Sequence, residues 1–151
     1  MNIVNFKPGS LKSALLVLIQ VLCIGIIAFN SKIIPEDTGL MTAIFLFLLL
    51  GIWSAAVMKF HFNVAPDVLD DAKLIKTGPY KLIRHPMYTS VLGITYCWVL
   101  TNLTNINIIA WTVLSIDLVI KLTFEEKMLS GRFKDYAEYR KKTYRIIPYF
   151  F

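Results

Sequence analysis

Apolar positions in this chain come in long uninterrupted runs, not in the one-sided stripes that mark surface helices. Residues 14–29 (ALLVLIQVLCIGIIAF) and 40–58 (LMTAIFLFLLLGIWSAAVM) carry no charge, and two further apolar stretches run from Met87 to Thr101 and from Ile106 to Ile120. A bilayer-crossing helix needs roughly 17–25 mostly apolar residues, so the pattern predicts an all-α integral membrane protein. Four spans are predicted, at about 12–30, 40–60, 86–102 and 105–124. Pro35, Glu36, Asp37 and Gly39 mark the first turn. Only Thr101-Asn102-Leu103-Thr104-Asn105 separates the last two spans, which predicts a tight antiparallel hairpin. A polar connector over 61–85 joins the second and third spans. After Glu126, Met128, Leu129, Phe133, Tyr136 and Tyr139 recur at helical spacing, so a C-terminal amphipathic helix is expected within a segment covering 125–151. Tyr136, Tyr139, Tyr144, Tyr149, Phe150 and Phe151 read as an aromatic belt at the membrane interface. The chain thus reads as one membrane domain over 1–151.

Composition agrees with the pattern. Of 151 residues 56% are hydrophobic and 17% charged, against about 45–50% and 25% in soluble domains, and the mean hydropathy is +0.60. The net charge of +6 invites a nucleic-acid reading, but the positions of the basic residues give another. With the N-terminus in the cytosol, every one of the 16 Lys and Arg residues except Lys32 falls on or near the inner side. This is the positive-inside asymmetry of a multi-pass protein with both termini cytosolic, and no nucleic-acid partner is expected. The absence of a small-x-small cleavage site at Phe29-Asn30-Ser31 makes the first span an anchor and not a cleaved signal.

Several chemistries are excluded. The seven glycines never form a Gly-x-Gly pair, so a soluble nucleotide-binding turn is ruled out. With two histidines, His61 and His85, and two cysteines, Cys23 and Cys97, inside apolar runs, no metal site is expected. Two polar clusters remain. In the first, Gly78-Pro79 punctuates a turn, and Arg84-His85-Pro86 sits where the third span begins, Pro86 suiting a first helical position. Arg84, His85 and the free amides of that helix start would attract an anion, although Arg and His also flank spans as plain interfacial anchors. In the second, Asp117, Lys121 and Glu125 recur at i, i+4, i+8 on one side of the fourth span. Asp117 lies within the apolar run, where an ionisable group needs a partner; Lys121 is the nearest one. Glu125 and Glu126 fall at the unfavourable end of the helix dipole, which points to a bound cation. The hairpin brings Arg84-His85 and Glu125-Glu126 to the same membrane face, where a ligand with both an anionic and a cationic group could bridge them.

Gly78-Pro79-Tyr80, Arg84-His85-Pro86-Met87-Tyr88, the short hairpin, Glu125-Glu126 and the closing Tyr136-Ala137-Glu138-Tyr139-Arg140-Lys141-Lys142 together resemble the isoprenylcysteine carboxyl methyltransferases and the wider group of phospholipid methyltransferases. The resemblance covers roughly residues 60–148. It implies S-adenosylmethionine (SAM) as methyl donor, bound on the cytosolic side, and a lipophilic or prenylated acceptor, an isoprenylcysteine-type carboxylate or a lipid amine, arriving from the bilayer. Carried over by position, Leu74, Ile75, Tyr80, Arg84, His85, Pro86, Met87, Tyr88, Glu125 and Glu126 would contact the donor. Arg84, His85 and Glu125 would position it, with no covalent intermediate. Lys121 stands where the eukaryotic enzymes carry an acceptor-binding Arg, keeping the charge without the planar fork. Membrane sterol reductases using NADPH share an Arg-His-Pro-x-Tyr pattern, but Met87 and Thr89-Ser90 fit the methyltransferases better. A small four-span transporter would use Asp117 as its coupling acid, yet such proteins place that acid in the first span, which has none here. The short loops suggest a prokaryotic plasma membrane.

Overall fold

The computed structural model describes residues 11–58 and 74–151. Lys7, Lys59, His61, Lys73 and most of the expected connector lie outside the described residues. Among the described residues five α-helices follow one another, α1 (Leu11–Asn30), α2 (Thr38–Val57), α3 (Pro86–Thr101), α4 (Asn105–Arg132) and α5 (Tyr136–Lys141), with a 3-10 turn at Gly78–Lys81 ahead of α3. The only extended pairing among the described residues is an isolated parallel bridge between Ile83 and Tyr144.

Among the described residues three helices, α1, α2 and α4, are long and apolar enough to cross a membrane. The fourth expected span, α3, is 16 residues long, which at ~1.5 Å per residue gives about 24 Å, short of a typical hydrocarbon core. The hairpin is as tight as expected, with Asn102, Leu103 and Thr104 between α3 and α4. Thr104 caps α4 by accepting the Asn107 amide at 3.3 Å, and Asp37 caps α2 by accepting the Leu40 amide at 2.8 Å.

The helices pack as two pairs joined side by side, α1 on α4 and α2 on α3, with α3 also against α4 and α1. Between α1, α3 and α4, Cys23, Ile27, Val99, Ala110, Leu114 and Leu118 form a buried apolar core. The α2–α3 contact depends on small residues, since apolar surface alone gives helices little reason to associate within lipid. A Cβ added at Gly93 would come within 2.5 Å of the Phe47 ring, and one at Gly51 within 2.6 Å of Ser90 Oγ. The close approach lets Ser90 Oγ donate to the Phe47 carbonyl at 2.7 Å. At the hairpin-loop end, Asn102 Nδ2 donates to the Asn30 carbonyl at 2.6 Å, the Lys32 amide to Thr101 Oγ1 at 3.0 Å and Trp98 Nε1 to the Ile33 carbonyl at 3.1 Å. The α1–α2 turn is thereby tied to the hairpin.

Two boundaries differ from expectation. The fourth helix does not stop near residue 124 but runs on to Arg132, so Glu125 and Glu126 are interior to α4 and not at its dipole end. The amphipathic helix expected after Glu126 is instead divided. α4 closes at Phe133, whose amide donates to the Leu129 carbonyl, and a turn through Lys134 and Asp135 leads into the six-residue α5. The turn folds α5 back on the body, so Tyr136 and Tyr139, expected in an interfacial belt, are buried. Tyr149 and Phe150 remain exposed.

Candidate functional site

The site is built where the chain turns into α3. Pro86 at the first helical position has no N–H to leave unsatisfied, and His85 precedes it in a non-helical conformation as the N-cap. The His85 carbonyl accepts the Tyr88 and Thr89 amides at 3.0 and 3.1 Å. The first turn therefore offers an incoming anion at most the Met87 amide, fewer than the free amides expected.

The segment after α5 runs alongside this turn. The Arg84 amide donates to the Tyr144 carbonyl at 2.7 Å, the His85 amide to the Arg145 carbonyl at 3.0 Å, and the Tyr144 amide to the Leu82 carbonyl at 2.9 Å. Thr89 Oγ1 adds a bond to the Ile146 carbonyl at 2.8 Å. Buried charges secure this strap. Arg84 Nε donates to Glu126 Oε1 at 2.8 Å, and its Nη1 donates to the Arg140 carbonyl at 3.1 Å and to the Thr143 carbonyl. Arg145 approaches the same carboxylate from the other side, Nη2 to Oε2 at 2.9 Å. Glu126 thus carries two guanidinium groups, so the cations beside it come from the protein itself. Arg84, expected at an incoming carboxylate, is committed within the protein.

His85 lies between the two acids of α4. Its Nδ1 is 3.3 Å from Glu125 Oε2 and its Nε2 is 3.5 Å from Glu126 Oε1, with the imidazole side chain 6% exposed. Nε2 has no hydrogen-bond partner. Burial works against a charged imidazole, but hydrogen bonding and charge from Glu125 and Glu126 outweigh it, so the His85 pKa stands above its usual value. Tyr88 stacks on His85, ring centroids 5.5 Å apart, and donates its hydroxyl to Glu125 Oε1. Glu125 is the more open of the two acids, its side chain 20% exposed against 5% for Glu126.

Tyr80 is buried below the turn. Its hydroxyl donates to Met58 Sδ at 2.9 Å, and its carbonyl accepts the Tyr139 hydroxyl at 2.7 Å. Burial pushes the Tyr139 phenol up to about 12, so it stays a donor. Leu74 and Ile75 are half-buried in the stretch before the turn, Met87 is half-buried and Pro86 buried. Lys121 is fully buried, and its Nζ donates not to Asp117 but to Gln20 Oε1 on α1. A surface cleft of about 230 Å³ is lined by Lys76, Lys81, Glu138, Tyr139, Lys142 and Thr143, and neither His85 nor Glu125 lines it.

The structure thus joins Arg84, His85, Tyr88, Glu125 and Glu126 in one cluster at the end of the α3–α4 hairpin, and keeps Lys121 one turn deeper. It adds Arg145 and Thr143, which no local spacing marked because their partners lie 19 and 59 residues away, and gives Tyr139, marked by spacing only as a helix-face aromatic, a buried bond to the Tyr80 carbonyl. Gln20 did leave a signal, as an amide inside the otherwise apolar first run.

A family model for phospholipid methyltransferase matches residues 38–136, from α2 through both halves of this cluster to the start of α5. The chain belongs to that family. Its members are membrane methyltransferases, in keeping with the apolar helices and the motifs at 78–88 and 125–126. Among curated proteins, the chain is 24% identical over 133 residues to the nickel-cobalt-cadmium resistance protein NccN of Alcaligenes xylosoxydans xylosoxydans, covering 87% of this chain and 62% of that protein. It is 28% identical over 101 residues to the cobalt-zinc-cadmium resistance protein CzcN of Cupriavidus metallidurans, covering 66% and 47%. The chain thus spans about half to three-fifths of the length of these relatives. No solved structure matches it.

Proposed function

We propose that this protein moves a methyl group from SAM to a lipophilic acceptor at the cytosolic face of a prokaryotic plasma membrane. In this reading α3 is the fourth span, both termini are cytosolic, and 1–151 acts as a single membrane domain. Family membership supports methyl transfer. The observation that carries the site is the meeting of His85 with Glu125, 3.3 Å apart at one end of the hairpin although 40 positions apart in the chain.

The residues present fit a zwitterionic donor. Arg84 and Glu126 are saturated by internal partners and His85 lies buried between Glu125 and Glu126, which leaves the partly open Glu125 carboxylate as the polar group an incoming donor would reach. His85, whose pKa its two acids raise against the effect of burial, would contribute positive charge toward a carboxylate. Glu125, fixed by the Tyr88 hydroxyl, suits an ammonium or ribose hydroxyls. Leu74, Ile75, Tyr80, Pro86, Met87 and Tyr88 would supply apolar and aromatic walls. Arg84 and Glu126 act as positioning residues, through the strap and through His85. When bound, SAM supplies an electrophilic methyl group on a sulfonium. Methyl transfer from it needs alignment and dryness more than a nucleophilic residue, and the strap over His85 and the buried Tyr80–Tyr139 pair provide both. Lys121, one turn below Glu125 and bonded to Gln20, would be the acceptor contact.

The resistance named in NccN and CzcN concerns metals. No group of three or more metal-ligating side chains occurs among the described residues. Calorimetry in detergent tests the donor site. Wild type should bind SAM or its demethylated product at micromolar levels in preference to NADPH, and His85→Ala and Glu125→Ala should each lose most of that affinity while still inserting. Wild-type affinity in both variants would remove the site assignment; no binding by wild type would remove the function.

A further inference from the structure

The cleft of about 230 Å³ holds none of the residues assigned to the donor. Its walls come from two stretches far apart in the chain, Lys76 and Lys81 on one side and Glu138, Tyr139, Lys142 and Thr143 on the other. The buried bond from the Tyr139 hydroxyl to the Tyr80 carbonyl, 2.7 Å long, pins the two stretches together. At ~30 Å³ per water, the space takes a hydrated ligand group and not merely a trapped solvent molecule.

Three lysines face one acid in this cleft, and none is firmly held. Lys81 has no ion pair among the described residues. Lys76 Nζ stands 3.5 Å from Asp135 Oδ2, with the side chains 42% and 77% exposed. Lys142 meets Glu138 at 2.6 Å, but both side chains are 71% exposed. Such exposed pairs contribute next to nothing, so their ammonium groups can turn to a better acceptor. Ammonium groups converging from two walls suit a phosphate, which lysine binds as a point charge with three donors.

The position of the cleft selects the source of that phosphate. The turn that carries Lys81 rests on the end of α2: a Cβ at Gly78 would come 2.8 Å from Val57 Cγ2 and 3.3 Å from Trp53 Nε1. Val57 is the last residue of a helix long and apolar enough to cross a membrane, and Lys81 stands five residues before the start of α3. The cleft thus lies where spans end and headgroups begin. Leu82, beside Lys81, and Ile147, in the strap, are exposed. Apolar side chains beside lysines fit an anionic lipid surface, whereas a free phosphate has no use for them.

We infer that this cleft binds the phosphate of an anionic membrane lipid and that the bound lipid braces the strap. A phosphate held by Lys81 and Lys142 joins the turn ahead of α3 to the segment after α5. The Tyr144–Leu82 and Arg84–Thr143 bonds join the same two stretches. Lipid binding stands apart from the methyltransferase reading; only the effect on the donor site rests on it.

The test uses the full chain. Native mass spectrometry from detergent reads retention of phosphatidylglycerol against phosphatidylcholine. Wild type should prefer phosphatidylglycerol, and Lys76→Gln/Lys81→Gln should weaken its binding about 25-fold, at about fivefold per lysine. Lys134→Gln/Lys141→Gln removes the same charge from exposed positions that do not line the cleft, and should retain the lipid as wild type does. Glu138→Gln, which removes the one acid of the cleft, should raise retention severalfold. In nanodiscs, hydrogen exchange at the Tyr144 amide should slow about tenfold with phosphatidylglycerol at ten times its dissociation constant, and should not slow in Lys76→Gln/Lys81→Gln. Equal losses in the two double variants would reduce the effect to general surface charge and overturn the site. Equal protection of Tyr144 by millimolar inorganic phosphate in phosphatidylcholine discs would overturn the lipid as its source. Lipid retention without any change at Tyr144 would overturn the bracing. A wild type that binds no SAM would remove the methyltransferase reading and leave the lipid site standing.

Discussion

Replacing Glu126 by Gln tests whether the strap over the donor site is held by buried charge. The carboxylate receives Arg84 Nε at 2.8 Å and Arg145 at 2.9 and 3.1 Å, with side-chain exposures of 7% for Arg84, 5% for Glu126 and 25% for Arg145. Hydrogen bonds to charged groups contribute about 1.5–3 kcal/mol each, and removing one partner of a buried pair costs about 3–5 kcal/mol. Glutamine keeps the shape and one acceptor oxygen, and Arg145 has some access to water, so a loss of about 2–3 kcal/mol is expected. The weakened element is the pairing of 82–85 with 144–145. Hydrogen exchange at the Tyr144 amide, which donates to the Leu82 carbonyl at 2.9 Å, should therefore accelerate about 30- to 150-fold at a tenfold change per ~1.36 kcal/mol. The exposed Lys32–Glu36 pair, although only 2.7 Å long, is the control, because solvent screens such pairs to near nothing. Lys32→Gln should leave stability unchanged. A change below about threefold at Tyr144 in Glu126→Gln, equivalent to ~0.65 kcal/mol, would refute the account of Glu126 as the clamp.

Three further outcomes follow from the same geometry. His85 has a pKa raised above 6.5 in the folded state, so its stabilisation is full below that value and is lost as pH rises through the raised one. The melting-temperature gap between wild type and His85→Asn should therefore be wider at about pH 6 than at about pH 9, and an equal gap at both would contradict the imidazolium between two carboxylates. Gly93→Ala drives a Cβ to 2.5 Å from the Phe47 ring and should cost about 1–3 kcal/mol by overpacking, seen as a melting shift of several degrees. Gly25→Ala, with nothing within 4 Å, should be silent. Tyr139→Phe strips the buried Tyr80 carbonyl of its 2.7 Å donor and should cost about 1–3 kcal/mol by chemical denaturation, without altering membrane insertion.

The sequence by itself determined what local chemistry dictates. Uncharged runs fixed where α1, α2 and the apolar part of α4 lie. Asp37 and Pro86 fixed helix starts through the hydrogen bonds they supply or forgo. The three-residue hairpin linker left Arg84-His85 and Glu125-Glu126 no choice but to meet. The tertiary structure decided what depends on partners far apart along the chain. Glu126 is tolerable inside α4 because Arg84 and Arg145 converge on it from 42 residues before and 19 after, and no spacing rule encodes that. The same convergence takes Arg84 out of competition for a ligand and leaves Glu125 the more open of the two acids. α4 outruns its apolar segment because those cations offset the charge of its acids, and the break at Phe133 turns Tyr136 and Tyr139 from expected surface anchors into buried supports of the turn. Periodicity names Lys121 as the neighbour of Asp117, but only packing could bring Gln20 of α1 within reach of that ammonium. A side chain with several rotatable bonds goes to the acceptor the fold presents, whatever lies closest along its own helix.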